Sequence, residues 1–125
     1  MKFDGSFNIA TGLSVESKIW KNEKLEWSAF VDRLSRPVIT SETYKQFITA
    51  SKDEQGKIKD VGGFVGGFLV GGRRNPDKVL YRQLLTLDID FAHNNFWDDF
   101  SMLFSNAAVL HATHKHSETN PRYRL

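Results

Sequence analysis

Cysteine is absent from the chain. Disulfides and thiolate zinc sites are therefore excluded, and any metal must be held by Asp, Glu, His or backbone oxygen. Long apolar runs are missing too. No stretch approaches the ~20 residues that a membrane helix needs, and the N-terminus has no basic-then-apolar signal pattern. These absences lead to the expectation of a cytoplasmic protein with no membrane partner. Nor does one charge dominate: 17 Lys and Arg against 15 Asp and Glu leave a net +2. That mildly basic balance permits a nucleic-acid partner without demanding one. No internal repeat or linker is visible, and 125 residues suit a single domain, 1–125, with a modest core.

Aromatic residues, by contrast, are plentiful, with Phe at 10. Phe3, Phe7 and Ile9 alternate and predict a strand over 2–11, broken at Gly12, with a short extended piece from Val15 to Trp20. Trp27, Phe30, Val31 and Leu34 recur at helical spacing, with Leu25 just before them and Pro37 as the stop. Thr40 or Ser41 fits the cap of a second helix that turns Tyr44, Phe47 and Ile48 inward. The polar run 51–60 reads as an exposed loop. Three glycine pairs follow between Gly62 and Gly72, then Arg73 and Arg74. This is no phosphate-binding loop, because Gly72 and Arg73 stand where Lys and Ser or Thr are required. The run fits a structural hairpin with close backbone approach, and equally a glycine-lined wall that presents Arg73 and Arg74 to phosphates.

Residues 79–91 read as one strand, with Arg82 near its start. Within it, Leu85, Leu87, Ile89 and Phe91 fall on one buried face, and Asp88 and Asp90 project together from the other, about 7 Å apart along the strand. Two adjacent carboxylates repel, and a divalent cation with hard oxygen ligands relieves that repulsion. The same pattern fits two acids at a solvated strand end. Asn94 or Asn95 fits the cap of a third helix, on which Phe96, Trp97, Phe100, Leu103 and Phe104 form one apolar face. Asp98 and Asp99 in its first turn suit the helix dipole better than catalysis. Ala107–His114 reads as a further strand, giving a strand–helix–strand unit and an α/β or α+β class.

That strand runs into His114-Lys115-His116. The two histidines share a face if the strand extends so far. A turn at Asn120-Pro121 leads to Arg122 and Arg124, which share a face in an extended segment. A hairpin would then gather two His and two Arg on one surface. Should Asp88 and Asp90 join them, metal-binding acids would stand beside phosphate-binding bases, the combination used in phosphoryl or nucleotidyl transfer.

These residues resemble a known family. Thr86-Leu87-Asp88-Ile89-Asp90 looks like the first motif of archaeo-eukaryotic primases, a strand ending in Asp-x-Asp or Asp-x-Glu. Ala112-Thr113-His114-Lys115-His116-Ser117 looks like their second, a small residue, any residue, then His. From Thr113 to Leu125 the chain is similar to the phage and plasmid primase-polymerase branch near virulence-associated protein E, in which Thr-His-x-His leads into Pro-Arg-x-Arg-Leu. Lys59-Asp60-Val61-Gly62-Gly63 and the glycine run to Arg74 resemble that branch as well, so the similarity extends over residues 15–125.

The resemblance implies an archaeo-eukaryotic primase-like catalytic fold, with an α/β unit and the start of an RNA-recognition-like β-α-β half. It implies a nucleotidyltransferase of phage or plasmid DNA replication that primes or extends DNA or RNA from NTPs or dNTPs by two-metal transfer. Asp88 and Asp90 would hold Mg²⁺ or Mn²⁺. His114 would contact phosphate, with His116 the competing choice. Lys115, Arg122, Arg124, Arg73, Arg74 and Arg82 would bind nucleotide or nucleic acid. The implied partners are nucleotides, a single-stranded DNA template and a helicase domain downstream in a longer protein, all in a bacterial host cytoplasm. The family's third motif, a later acidic ligand, has no counterpart here. The expectation is thus the N-terminal part of a catalytic domain, with weak or absent polymerase activity.

Three other readings fit the same residues. A haloacid-dehalogenase phosphatase also uses Asp-x-Asp, but Ala92 stands where it has Thr or Val. A metal-dependent nuclease could use the same acids and histidines. A non-catalytic remnant could bind nucleic acid or protein.

Overall fold

Phe7 and Ile9 do alternate inward from a strand. In the computed structural model, which describes residues 4–125, that strand is Ser6–Gly12 (β1); Lys2 and Phe3 lie outside the described residues. It pairs antiparallel with Lys21–Glu26 (β2) and with Gly63–Val65 (β3), in the order β2-β1-β3. The helix Trp27–Leu34 (α1) follows β2 directly and buries Trp27 and Phe30. Phe30 meets Phe7 edge-on at 5.4 Å and Phe64 at 5.0 Å. Such pairs add about 0.5–1.5 kcal/mol each beyond area burial. Asp4 caps α1 from outside, accepting hydrogen bonds from the Ser28 amide and hydroxyl at 2.8 and 2.9 Å.

Several expected boundaries move, each for a local reason. Val15–Trp20 is not extended, because the Asp60 carboxylate accepts from the Ser14 hydroxyl and the Val15 amide and holds the segment in a turn. Leu25 belongs to β2, not to α1. The next helix, Tyr44–Thr49 (α2), is capped by Thr43 rather than Thr40 or Ser41, since Thr43 and Gln46 satisfy each other's backbone amides. The supposed loop 51–60 is a helix, Lys52–Lys59 (α3). Ser51 and Glu54 form its capping box, Asp53 and Glu54 face the positive end of its dipole, and Lys57 and Lys59 the negative end.

The glycine run does not form one hairpin. β3 joins β1, whereas Gly67–Leu69 (β4) pairs with Val79–Arg82 (β5). Any side chain at Gly67 would collide with the Tyr81 carbonyl oxygen, so this close strand approach requires glycine. The Asn22 side chain brackets the Leu69 backbone, donating to its carbonyl at 2.8 Å and accepting from its amide at 2.9 Å. Leu69 itself is fully buried with Ala10 and Trp20.

The expected long strand 79–91 is interrupted. Past Arg82, the amides of Gln83 and Leu84 both turn to the Gly66 carbonyl, at 2.8 and 3.1 Å, and pairing resumes only at Asp88–Ile89 (β6). Leu85 is 80% and Phe91 89% exposed while Ile89 is half-buried, so the expected buried face is largely uncovered. The chain divides near this break into two compact units, one ending at Leu85 and one beginning at Thr86.

The second unit holds β6, the helix Phe96–Leu103 (α4), His111–Ala112 (β7) and Tyr123–Arg124 (β8). Its sheet has the order β6-β8-β7, with both pairings antiparallel. β6 and β7 therefore run parallel with β8 inserted between them, a split β-α-β arrangement. α4 occupies the predicted span and carries a ladder of rings, Phe96 to Phe100 at 6.2 Å and Phe100 to Phe104 at 4.9 Å. None of its residues is fully buried, so its apolar pattern does not translate into core. The class is mixed α/β with antiparallel sheets. Among the described residues no helix is long and apolar enough to cross a membrane.

Candidate functional site

β8 is the element that assembles the site. Its register sets Arg124 opposite Asp88 on one side and opposite His111 on the other. Directly opposed residues in a sheet project from the same face. Beyond the strands proper the ladder continues: Leu87 and Leu125 exchange amide bonds at 2.8 and 2.9 Å, Thr113 donates to the Arg122 carbonyl at 3.1 Å and Ala92 to the Pro121 carbonyl at 3.3 Å. By alternation, Asp88, Asp90, Arg122 and Arg124 share that face.

Each acid there is paired with an arginine. Arg124 donates from Nε to Asp88 Oδ1 at 2.7 Å, and Arg122 from Nη1 to Asp90 Oδ1 at 3.0 Å. The carboxylates are about three-fifths exposed, at 62% and 60%, so these are surface ion pairs. Such pairs contribute about 0–1 kcal/mol each. Arg122 is the more enclosed partner. Its guanidinium lies 5.9 Å from the Phe91 ring centre, and its Nε is shielded from solvent with no hydrogen-bond partner in the protein.

The histidines are arranged differently from expectation. β7 stops at Ala112, and the His116 amide turns back to the Thr113 carbonyl at 2.9 Å, so His114 and His116 do not share a strand face. His114 is exposed in that turn and Lys115 is half-buried beside it. His116 Nδ1 accepts from the Arg122 amide at 3.2 Å, which places the proton of the neutral ring on Nε2. The His116 ring packs 4.9 Å from that of Tyr123, the residue that alternates away from the arginine face. The reversal between the segments is tighter than an Asn120-Pro121 turn: Ser117 and Asn120 exchange amide bonds at 3.2 and 3.1 Å around Glu118 and Thr119.

The residue that sequence reasoning missed is His111, the cross-strand neighbour of Arg124. Its signal was available only through the hairpin register, which sets His111 rather than His114 opposite Arg124. Arg73, Arg74 and Arg82 belong to the other unit, all three exposed. Arg74 lies 5.1 Å over the Trp20 ring, and Arg82 ends β5.

Carboxylate oxygens are the ligand type that Mg²⁺ and Mn²⁺ take, but here both carboxylates are already paired with arginines. The arginine contacts engage Oδ1 of each acid. Among the described residues, His, Asp and Glu do not gather in threes as prospective metal ligands.

A mixed α/β protein whose split β-α-β sheet carries acids and arginines on one face is the class that fold and site define. Over residues 1–125 the chain matches the family described as the VapE N-terminal domain, and it belongs to that family. Comparison with curated proteins and with solved structures returns no match.

Proposed function

We propose that this chain forms the nucleotide- and metal-holding part of a phage- or plasmid-type primase-polymerase, a nucleotidyltransferase that primes or extends DNA or RNA from NTPs or dNTPs. The observation that carries the reading is the convergence of Asp88, Asp90, Arg122 and Arg124 on one face of β6-β8-β7. Phosphoryl transfer needs little beyond positioning and charge stabilisation, and these are the side chains for both. The strand order supports the same reading, because a β-α-β unit with the next strand inserted between its strands is the first half of a ferredoxin-like sheet. An archaeo-eukaryotic primase-like fold contains such a half.

In this proposal Asp88 and Asp90 would hold Mg²⁺ or Mn²⁺, which would supply charge neutralisation for phosphoryl transfer. Arg122 and Arg124 grip the triphosphate, for which the guanidinium fork is suited. His114, with Lys115 beside it in the turn after β7, contacts phosphate; His116, the competing choice, packs on Tyr123 and accepts from the Arg122 amide instead. Arg73, Arg74 and Arg82 bind the backbone of a single-stranded DNA template, a salt-dependent interaction. A helicase domain of a longer protein is the proposed functional neighbour, in the cytoplasm of a bacterial host.

The test is binding of a labelled dNTP with and without Mn²⁺. Binding should require Mn²⁺ and fall at least tenfold, about 1.4 kcal/mol, in Asp88→Asn and in Arg122→Ala. Undiminished Mn²⁺-dependent binding in an Asp88→Asn, Asp90→Asn double variant would remove the acids from the site.

A second reading, a nucleic-acid-binding module without catalysis, draws on the two ion pairs, since acids and arginines there satisfy one another. Single-stranded DNA binding that persists in chelator and in the Asp88→Ala, Asp90→Ala double variant would favour it.

A further inference from the structure

We infer that the β4–β5 hairpin is a docking surface for single-stranded nucleic acid, with Arg73, Arg74 and Arg82 on the phosphates and the Phe68–Tyr81 ring pair stacking against an unpaired base. This rests on the template-backbone reading above. It adds the element that distinguishes a single strand from a duplex, and it lies wholly within the first unit.

Charge singles out this hairpin. Of the seven arginines in the chain, Arg33, Arg36, Arg122 and Arg124 each pair with an acid. Arg73, Arg74 and Arg82 form no ion pair among the described residues, and all three are exposed. Residues 61–85 carry four Lys and Arg against a single acid, Asp77, which sits 3.2 Å from Lys78. Asp60 feels the charge of Arg74, but its carboxylate is taken up by the Ser14 hydroxyl and the Val15 amide. The hairpin thus carries positive charge that the protein leaves unneutralised, which complements a polyanion. Guanidiniums suit phosphate in particular, because their planar fork matches its oxygens. The Arg74 guanidinium lies 5.1 Å over the Trp20 ring. Stacking on a ring face leaves its in-plane N–H donors for another acceptor.

The rings select among polyanions. The close approach at Gly67 locks β4 to β5, and the register sets Phe68 directly opposite Tyr81. Their rings stack with centres 5.9 Å apart and planes inclined by 29°. Phe68 is half-buried and fixes the pair, whereas Tyr81 is 41% exposed. The pair stands between Arg82, opposite Gly67 at one end of the ladder, and Arg73 and Arg74 in the connection at the other end. A base offers its flat face to such a ring only when it is unstacked from its neighbours, as in a single strand. A duplex keeps its bases stacked and presents only phosphates and groove edges. An acidic protein surface would use the arginines and leave the rings without a role.

The probe is a fluorescein-labelled oligothymidylate of about 12 nucleotides, its binding read by anisotropy in chelator. An abasic strand of equal length and a duplex serve as comparisons. The wild-type chain should bind oligothymidylate about tenfold more tightly than either. Tyr81→Leu should erase the preference over the abasic strand, and Tyr81→Phe should keep it, since stacking needs the ring and not the hydroxyl. The Arg73→Gln, Arg74→Gln, Arg82→Gln variant should flatten the slope of log affinity against log salt by about two, as expected for three phosphate contacts to a single strand. Equal wild-type binding of oligothymidylate and the abasic strand, or a duplex bound as tightly, would overturn the inference, and these comparisons need no variant to fold. If the arginine variant still loses its salt slope in that case, the backbone reading stands without the base platform. An unchanged slope in the arginine variant, or no binding of any strand by wild type, would overturn the backbone reading and this inference with it.

Discussion

Leu69→Ala is the substitution that most directly probes how the first unit holds together. Leu69 has no exposed surface and packs with Ala10 and Trp20, flanked by Val65 and Val79. Truncating a buried leucine to alanine costs about 2–5 kcal/mol, less where the surroundings can close the gap. Here they are restrained, because the Asn22 side chain holds the Leu69 backbone through its amide and its carbonyl. The expected loss is therefore in the middle of that range, about 3–4 kcal/mol. In a unit of this size each kcal/mol lowers the melting temperature by about 4–8 °C, so a fall of roughly 12–32 °C is expected. The control is Leu85→Ala, at a leucine that is 80% exposed. It should shift stability by no more than about 0.5 kcal/mol. Thermal and urea unfolding of both variants decide the matter. A Leu85→Ala variant as damaged as Leu69→Ala would reinstate one continuous buried strand over 79–91 and refute the interruption at Gln83.

Other perturbations test local features. Ser51→Ala removes the α3 cap and should cost about 1 kcal/mol in urea unfolding. Hydrogen bonds from the Ser14 hydroxyl, then the Val15 amide, hold the Asp60 carboxyl below its ordinary value. Its contribution to stability is therefore complete above the ordinary carboxylate range and is lost as pH falls through the lowered value. Asp60→Asn should accordingly flatten the acid side of the melting-temperature profile, from the ordinary carboxylate range downward. A double-mutant cycle on Asp88 and Arg124, both to Ala, should return a coupling of about 0.2–1 kcal/mol in low salt, shrinking as salt is added. A coupling above about 2 kcal/mol would mean that this pair is desolvated and that the site is more closed than its exposure indicates.

What could be read from the residues depended on the kind of signal each carried. β1, α1 and α4 were legible because apolar spacing reports the period of an element directly. α3 was missed because its residues are polar nearly all round; its real marker was Ser51 followed by Glu54, a reciprocal cap rather than a period. The supposed glycine hairpin failed for another reason. Gly62–Gly72 does contain two strands, but their partners, β1 and β5, lie elsewhere in the chain. The run 84–91 alternates like a buried strand, yet alternation says nothing about whether another element covers the apolar side. There, Leu85 and Phe91 remain exposed.

The candidate site divides along the same line. Asp88 with Asp90, and Arg122 with Arg124, are each two residues apart, and a period of two places each pair on one face wherever the backbone is extended. With no cysteine in the chain, the chemistry available to that face is oxygen, imidazole and guanidinium. That much is a property of the sequence alone. Which face meets which is not, because strand pairing is a hydrogen-bond register between segments far apart in the chain. Only the insertion of β8 between β6 and β7 sets Arg124 against Asp88, brings His111 to its other side, and turns two repelling acids into two acid–arginine pairs.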